Sequence, residues 1–124
     1  MTCIAGVIAP DGSIVMGADS AGICGSAKTR RKDRKLFRLD CQVIGFCGSY
    51  RAGQIVRYHF IPPEHPRGCD PYRYMVELFI PTVREAFKKH GFALVKDNKE
   101  KMPWSALLVA YRGRLFQIEE DYQV

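Results

Sequence analysis

A layered α+β protein built on antiparallel sheets is what this sequence predicts, on three observations. Strand-like apolar runs open and close the chain, helical periodicity is confined to its middle, and hairpin signals rather than long crossovers join the strands. A single domain spanning 1–124 accommodates the whole pattern, and that length buries a core without needing disulfides or a structural metal.

Each element has its own signal. Residues 2–9 are apolar with β-branched members and stop at Pro10, Asp11 and Gly12, a hairpin tripeptide. Residues 13–19 return as a second strand. Both runs are nearly continuous in apolar or small residues, which predicts burial on both faces. Ala5, Gly6, Gly17 and Ala18 are small enough to predict close packing against another sheet. Residues 20–34 are rich in Gly, Ser and charge and read as a loop. A third strand over 35–39 turns at Asp40 into a fourth over 42–47, which Gly48 and Ser49 break. A short helix follows over about 52–60. Prolines 62, 63 and 66 keep 61–69 irregular. Asp70 and Pro71 then start a helix as N-cap and first helical residue. Its apolar face is Met75, Leu78, Phe79, Val83 and Phe87, with a kink expected at Pro81 and a C-cap at Gly91. A charged loop over 96–103 leads to a last hairpin, 104–111 with 114–119, across Arg112 and Gly113.

Composition narrows the function. With 47% hydrophobic and 26% charged residues the chain is globular rather than disordered. No apolar run approaches the roughly 20 residues that span a bilayer, and no secretory leader is visible, so a cytoplasmic location is expected. The cysteines number five and form no C-x-x-C pair. They read as reduced thiols, with Cys3 and Cys47 as small core residues, and no metal site is expected. His59, His65 and His90 read as loop or helix-surface groups. The net charge of +6 is concentrated in the run Lys28 to Lys35. Such a run can neutralise phosphates, but no aromatic platform interleaves it, and a solvated loop is the preferred reading over nucleic-acid binding.

Several local features, in order, resemble the proteasome β-subunit family of N-terminal nucleophile hydrolases. They are Thr2 opening a strand; Asp11 and Gly12 at the hairpin; the strand ending Ala18, Asp19, Ser20; Lys35 opening the third strand; Gly48 and Ser49 closing the fourth; and the hairpin 104–118. A start with only Met before Thr is similar to the simple bacterial proteasome-like peptidases. Ala21 departs from the pattern, since many relatives carry Arg there. The resemblance implies an αββα-type sandwich. It also implies helices and strands beyond the second hairpin, so the sequence reads as C-terminally short: a fragment, a truncated relative, or a minimal version completed by a neighbour. A lone copy is then expected to expose part of an apolar sheet.

What the resemblance implies chemically is threonine-type acyl transfer on peptide or amide bonds. Thr2 is the nucleophile once Met1 is removed, with its own α-amine as base. Lys35 supplies positive charge, Asp19 holds Lys35, and the Gly48 N–H donates to the developing oxyanion. No cofactor is called for. The implied partners are a peptide or unfolded-protein substrate, further copies in a homo-oligomeric ring, and an ATP-dependent unfoldase. Three alternatives stay open: a catalytically inactive structural subunit, a nucleic-acid module on 28–35, and amidase chemistry on a small molecule.

Overall fold

A computed structural model describes residues 2–24, 26–103 and 105–124. Met1, whose removal the expected chemistry would require, and Trp104, expected to open the last hairpin, lie outside the described residues.

Among the described residues are ten strands and a helical middle, and six of the strands pack with the helices as three layers. The first is the hairpin of β1 (Ile4–Ile8) and β2 (Ile14–Ala18). Gly12 closes it with a positive φ of 82°, and Ala9 and Ser13 bond across its base. The second layer is a four-stranded antiparallel sheet in the order β10-β9-β6-β5, with β5 Leu36–Leu39, β6 Gln42–Cys47, β9 Ala106–Tyr111 and β10 Arg114–Ile118. Arg112 and Gly113, both at positive φ, join β9 to β10 as the sequence predicted. The third layer is helical: α1 (Tyr50–His59), then α2 (Pro71–Tyr74), a π turn over Met75–Phe79, and α3 (Ile80–Lys89).

Alternation along the central strands decides what each face meets. Ile44, Phe46, Leu107, Val109, Phe116 and Ile118 share a buried cluster with Ile55, Val56, Val83 and Phe87 of the helices. Each such side chain contributes roughly 1.5–3 kcal/mol on leaving water. The opposite face carries β1–β2 at close range. A Cβ on Gly6 would stand 3.0 Å from Leu115 Cδ2, and one on Gly45 would stand 3.0 Å from Ile4 Cγ2. Gly6 therefore serves the predicted close packing. Gly17 does not, since a Cβ there would meet nothing within 4 Å.

Several expectations need correction. β1 and β2 are not buried on both faces: Ile4, Gly6, Ile14 and Met16 point inward, while Val7 and Val15, opposite one another, are 59% and 60% exposed. A continuous apolar run does not distinguish one covered face from two. Residues 20–34 are not all loop. They contain a second hairpin, β3 (Ala21–Cys24) with β4 (Ala27–Arg30). The segment 96–103 likewise holds part of a short hairpin, β7 (Leu94–Lys96) with β8 (Lys99–Lys101), turned by Asp97 and Asn98 at positive φ. Helix α1 begins at Tyr50 rather than 52, because the Ser49 hydroxyl accepts from Arg51 N and caps it. Cys3 is exposed and Cys47 half-buried, so neither is a core residue. His65 lies in the loop, as expected, and is half-buried there: Tyr111 Oη lies 2.9 Å from its Nδ1 and the Cys69 carbonyl 2.8 Å from its Nε2, which tethers the proline-rich loop.

The long helix behaves as its ends predict. Asp70 accepts from Tyr72 N and Arg73 N. At the other end Phe92 N bonds Phe87 O and Gly91 N bonds Lys88 O, a Schellman motif with the Phe87–Phe92 contact that accompanies it. The irregularity expected at Pro81 takes the form of the π turn just before it, where Ile80 N bonds Met75 O. The described residues supply one helical layer, on the face of the central sheet away from β1–β2. No helix among them is long and apolar enough to cross a membrane.

Candidate active site

Hairpin register builds the first half of the site. Pairing of Ile4 with Ala18 sets Cys3 against Asp19, and the two exchange bonds: Asp19 N to Cys3 O at 3.1 Å, and Cys3 N to Asp19 Oδ1 at 3.0 Å. Thr2 and Asp19 thereby share one end of β1–β2. Lys35 arrives from the second layer. Its carbonyl accepts from Phe46 N as β5 pairs with β6, and its side chain crosses between the sheets with only 3% of the residue exposed.

Lys35 Nζ then makes three contacts: Ala21 O at 2.6 Å, Asp19 Oδ1 at 2.9 Å and Thr2 Oγ1 at 3.1 Å. An ammonium has three protons, and all three are committed. A buried charge survives only when satisfied in this way. Thr2 Oγ1 accepts from Lys35, so its own proton points elsewhere. The Lys35 ammonium, followed by the Cys3 N–H, holds the Asp19 carboxyl below its ordinary value. Asp19 Oδ2 also accepts from Ala21 N, at 3.2 Å.

Thr2, Asp19 and Lys35 thus form one connected cluster. Gly48 does not bond to it. It sits past the end of β6 with φ of 89°, a conformation that favours glycine. Its neighbour Cys47 lines, with Thr2, Ile4, Ala106, Leu108 and Gln117, an open hollow of about 190 Å³. The turn is fixed on its other side by Ser49 N bonding Ser105 Oγ at 3.3 Å.

Sequence reasoning missed three participants. Ala21 acts through its carbonyl and N–H, and main-chain roles leave no residue signature. The site uses only its backbone. Tyr50 stands over the cluster, its hydroxyl 3.4 Å from Ala21 O and its ring centroid 5.7 Å from Lys35 Nζ. Ser49 had a legible signal, being a serine ahead of a helix.

Two stacked antiparallel sheets with a threonine, a carboxylate and a buried lysine at one end define an α+β fold with a hydroxyl poised beside a cation. Neither a family model nor a curated protein matches the chain. Solved structures do. Thiobacillus denitrificans BPH is similar at TM-score 0.73 and 20% identity, over 98% of this chain and 66% of that one. A second structure, Thiobacillus denitrificans BPH in complex with epoxomicin, is similar at TM-score 0.72 and 18% identity over the same shares. This chain has that fold and spans about two thirds of the length of those chains.

Proposed function

We propose that the chain, once Met1 is removed, is a threonine-type N-terminal nucleophile hydrolase that cleaves peptide bonds. The observation that carries the reading is the triple commitment of Lys35 Nζ to Thr2 Oγ1, Asp19 Oδ1 and Ala21 O. In this reading Lys35 supplies positive charge beside Thr2 Oγ1, and the base is assigned to the freed Thr2 α-amine, whose ordinary pKa of about 7.7–8.0 suits it.

In the proposed reaction the amine takes the hydroxyl proton as Oγ1 attacks the substrate carbonyl. Lys35 stabilises the oxygen as it gains negative charge, and Asp19 keeps Lys35 in place. The Gly48 N–H is assigned to the oxyanion, where glycine lets the carbonyl approach. Collapse of the tetrahedral intermediate breaks the C–N bond and returns the proton to the leaving amine. Water then attacks the ester on Thr2, and the acid product and free hydroxyl result.

The similarity to a protein solved with epoxomicin, a proteasome inhibitor, supports this reading. The proposal extends to peptide or unfolded-protein substrates in the cytoplasm, a homo-oligomeric ring and an ATP-dependent unfoldase, which rest on the resemblance alone. Intact mass of Met1-processed protein with and without epoxomicin tests the central claim. One adduct, abolished by Thr2→Ala, is expected. No adduct on folded, processed protein refutes it and supports the inactive-subunit alternative.

A further inference from the structure

The cationic run that the chemistry leaves unused lies beside the reactive cluster. β3 begins at Ala21, whose carbonyl Lys35 Nζ contacts at 2.6 Å. Across the β3–β4 hairpin, Ala21 pairs directly with Arg30. Cross-strand Cα atoms stand about 4.5–5.5 Å apart, which places the Arg30 Cα within roughly 14 Å of Thr2 Oγ1 even if every step lay in line. Arg31 N bonds Ser20 O at 3.4 Å, and its guanidinium lies 4.2 Å from the centroid of Tyr50, the ring over the site.

These cations are largely unspent. Lys28, Arg30, Arg31, Lys32 and Arg34 are all exposed. Asp33 is the one acid among them, and it is already shared by Arg31 at 3.4 Å and Gln54 at 3.2 Å. Among the described residues, Lys28, Arg30, Lys32 and Arg34 make no ion pair. The arm is short, with two strands of four residues, and all four residues of β4 are exposed.

We propose that the β3–β4 arm is a docking rim for substrate, and that it selects peptide segments carrying aspartate or glutamate near the bond to be cut. This rests on the hydrolase reading above. A peptide is favoured over nucleic acid for two reasons. The base of the arm is at Ala21, whose carbonyl shares Lys35 Nζ with Thr2 Oγ1, so a peptide held along it lies beside the nucleophile. The nearest aromatic face, Tyr50, is covered by Arg31 and offers no platform for a base. Exposed charges at this range act through a screened field, so they raise local substrate concentration and the rate of capture rather than forming rigid pairs.

The experiment uses Met1-processed protein and fluorogenic peptides that differ only in Glu, Gln or Lys beside the scissile bond. At about 20 mM ionic strength the Glu peptide should exceed the Lys peptide by about tenfold in kcat/KM, falling to under threefold at about 0.5 M. K28E/R30E should erase or invert the preference. K96E/K99E, which changes net charge equally on the other exposed hairpin, should preserve it. A readout independent of turnover uses the Thr2→Ala protein: fluorescence anisotropy should show the labelled Glu peptide binding more tightly than the Lys peptide, with the difference lost in K28E/R30E. An epoxomicin adduct with no charge preference in either assay overturns the rim while leaving the hydrolase reading intact. No adduct and no hydrolysis overturns both. Binding of RNA or DNA that K28E/R30E abolishes, without peptide discrimination, assigns the arm to nucleic acid and likewise overturns the proposal.

Discussion

Gly53→Ala is a sharp test of how the helical layer seats on the sheet. Gly53 is buried on α1 against Phe46. A Cβ there would fall inside the Phe46 ring edge, at Cε1, Cζ and Cδ1. Comfortable carbon contacts need about 3.5–4.0 Å, so one partner must move by more than an ångström. Phe46 has little room, being 2% exposed and edge-on to Tyr50 at 5.6 Å. In an open helix the same substitution would stabilise by about 1 kcal/mol. Overpacking costs about 1–3 kcal/mol and occasionally more, and the severity of this overlap places it at the upper end. The net expectation is a loss of about 2 kcal/mol, or roughly 8 °C in Tm for a chain this long. Differential scanning calorimetry measures it. Phe46→Leu in the same chain should recover part of the loss, a coupling that a double-mutant cycle reads directly. An unchanged or raised Tm for Gly53→Ala would refute the packing described.

Lys35→Met keeps an apolar stem but removes the ammonium, and epoxomicin adduct formation should slow by about 10²-fold or more, followed by mass spectrometry. A rate within threefold of wild type would show that the charge at Thr2 is dispensable. Gly48→Val forces a β-branched residue toward φ of 89°; strain of about 1–3 kcal/mol should lower Tm and slow the same reaction. Acid should weaken the fold through carboxyls held below 3.8: Asp19, by Lys35 and then the Cys3 N–H, and Asp11, by the Ser13 hydroxyl and N–H. A folded-state pKa below the unfolded one means that the ionised form favours folding. That contribution is complete above about pH 5 and is lost as pH falls through 3.8 to the lowered values. Urea midpoints from pH 5 to 3 should therefore fall less for Asp19→Asn than for wild type, and an equal or steeper fall would contradict this.

Much of the architecture was legible because hairpins and helix ends advertise themselves locally. Asp11 and Gly12, Arg112 and Gly113, Asp70 and Pro71, and Gly91 each occupy the position their chemistry suits. The β3–β4 and β7–β8 hairpins were hidden by brevity and by the charge of β4 and β8: strands of three or four residues carry no alternation to read. For β7–β8 the available signal was the two-residue spacer Asp97 with Asn98. Apolar β1 and β2 misled in the opposite sense, because composition reports hydrophobicity and not which layers cover it. At the site, Thr2, Asp19 and Lys35 were nameable from residue type and order. Their convergence depends on hairpin register and on a lysine crossing between layers, which one-dimensional spacing only suggests. The Ala21 carbonyl, the shortest contact Lys35 Nζ makes, has no residue-type signal.

The account turns on whether the Thr2 hydroxyl is a nucleophile. Intact-mass analysis of Met1-processed protein after incubation with epoxomicin, followed by peptide mapping, tests this most directly. A single adduct localised to Thr2, absent from Thr2→Ala and strongly slowed in Lys35→Met, is the predicted result. Folded, processed protein that stays unmodified, or an adduct on any other residue, would contradict it.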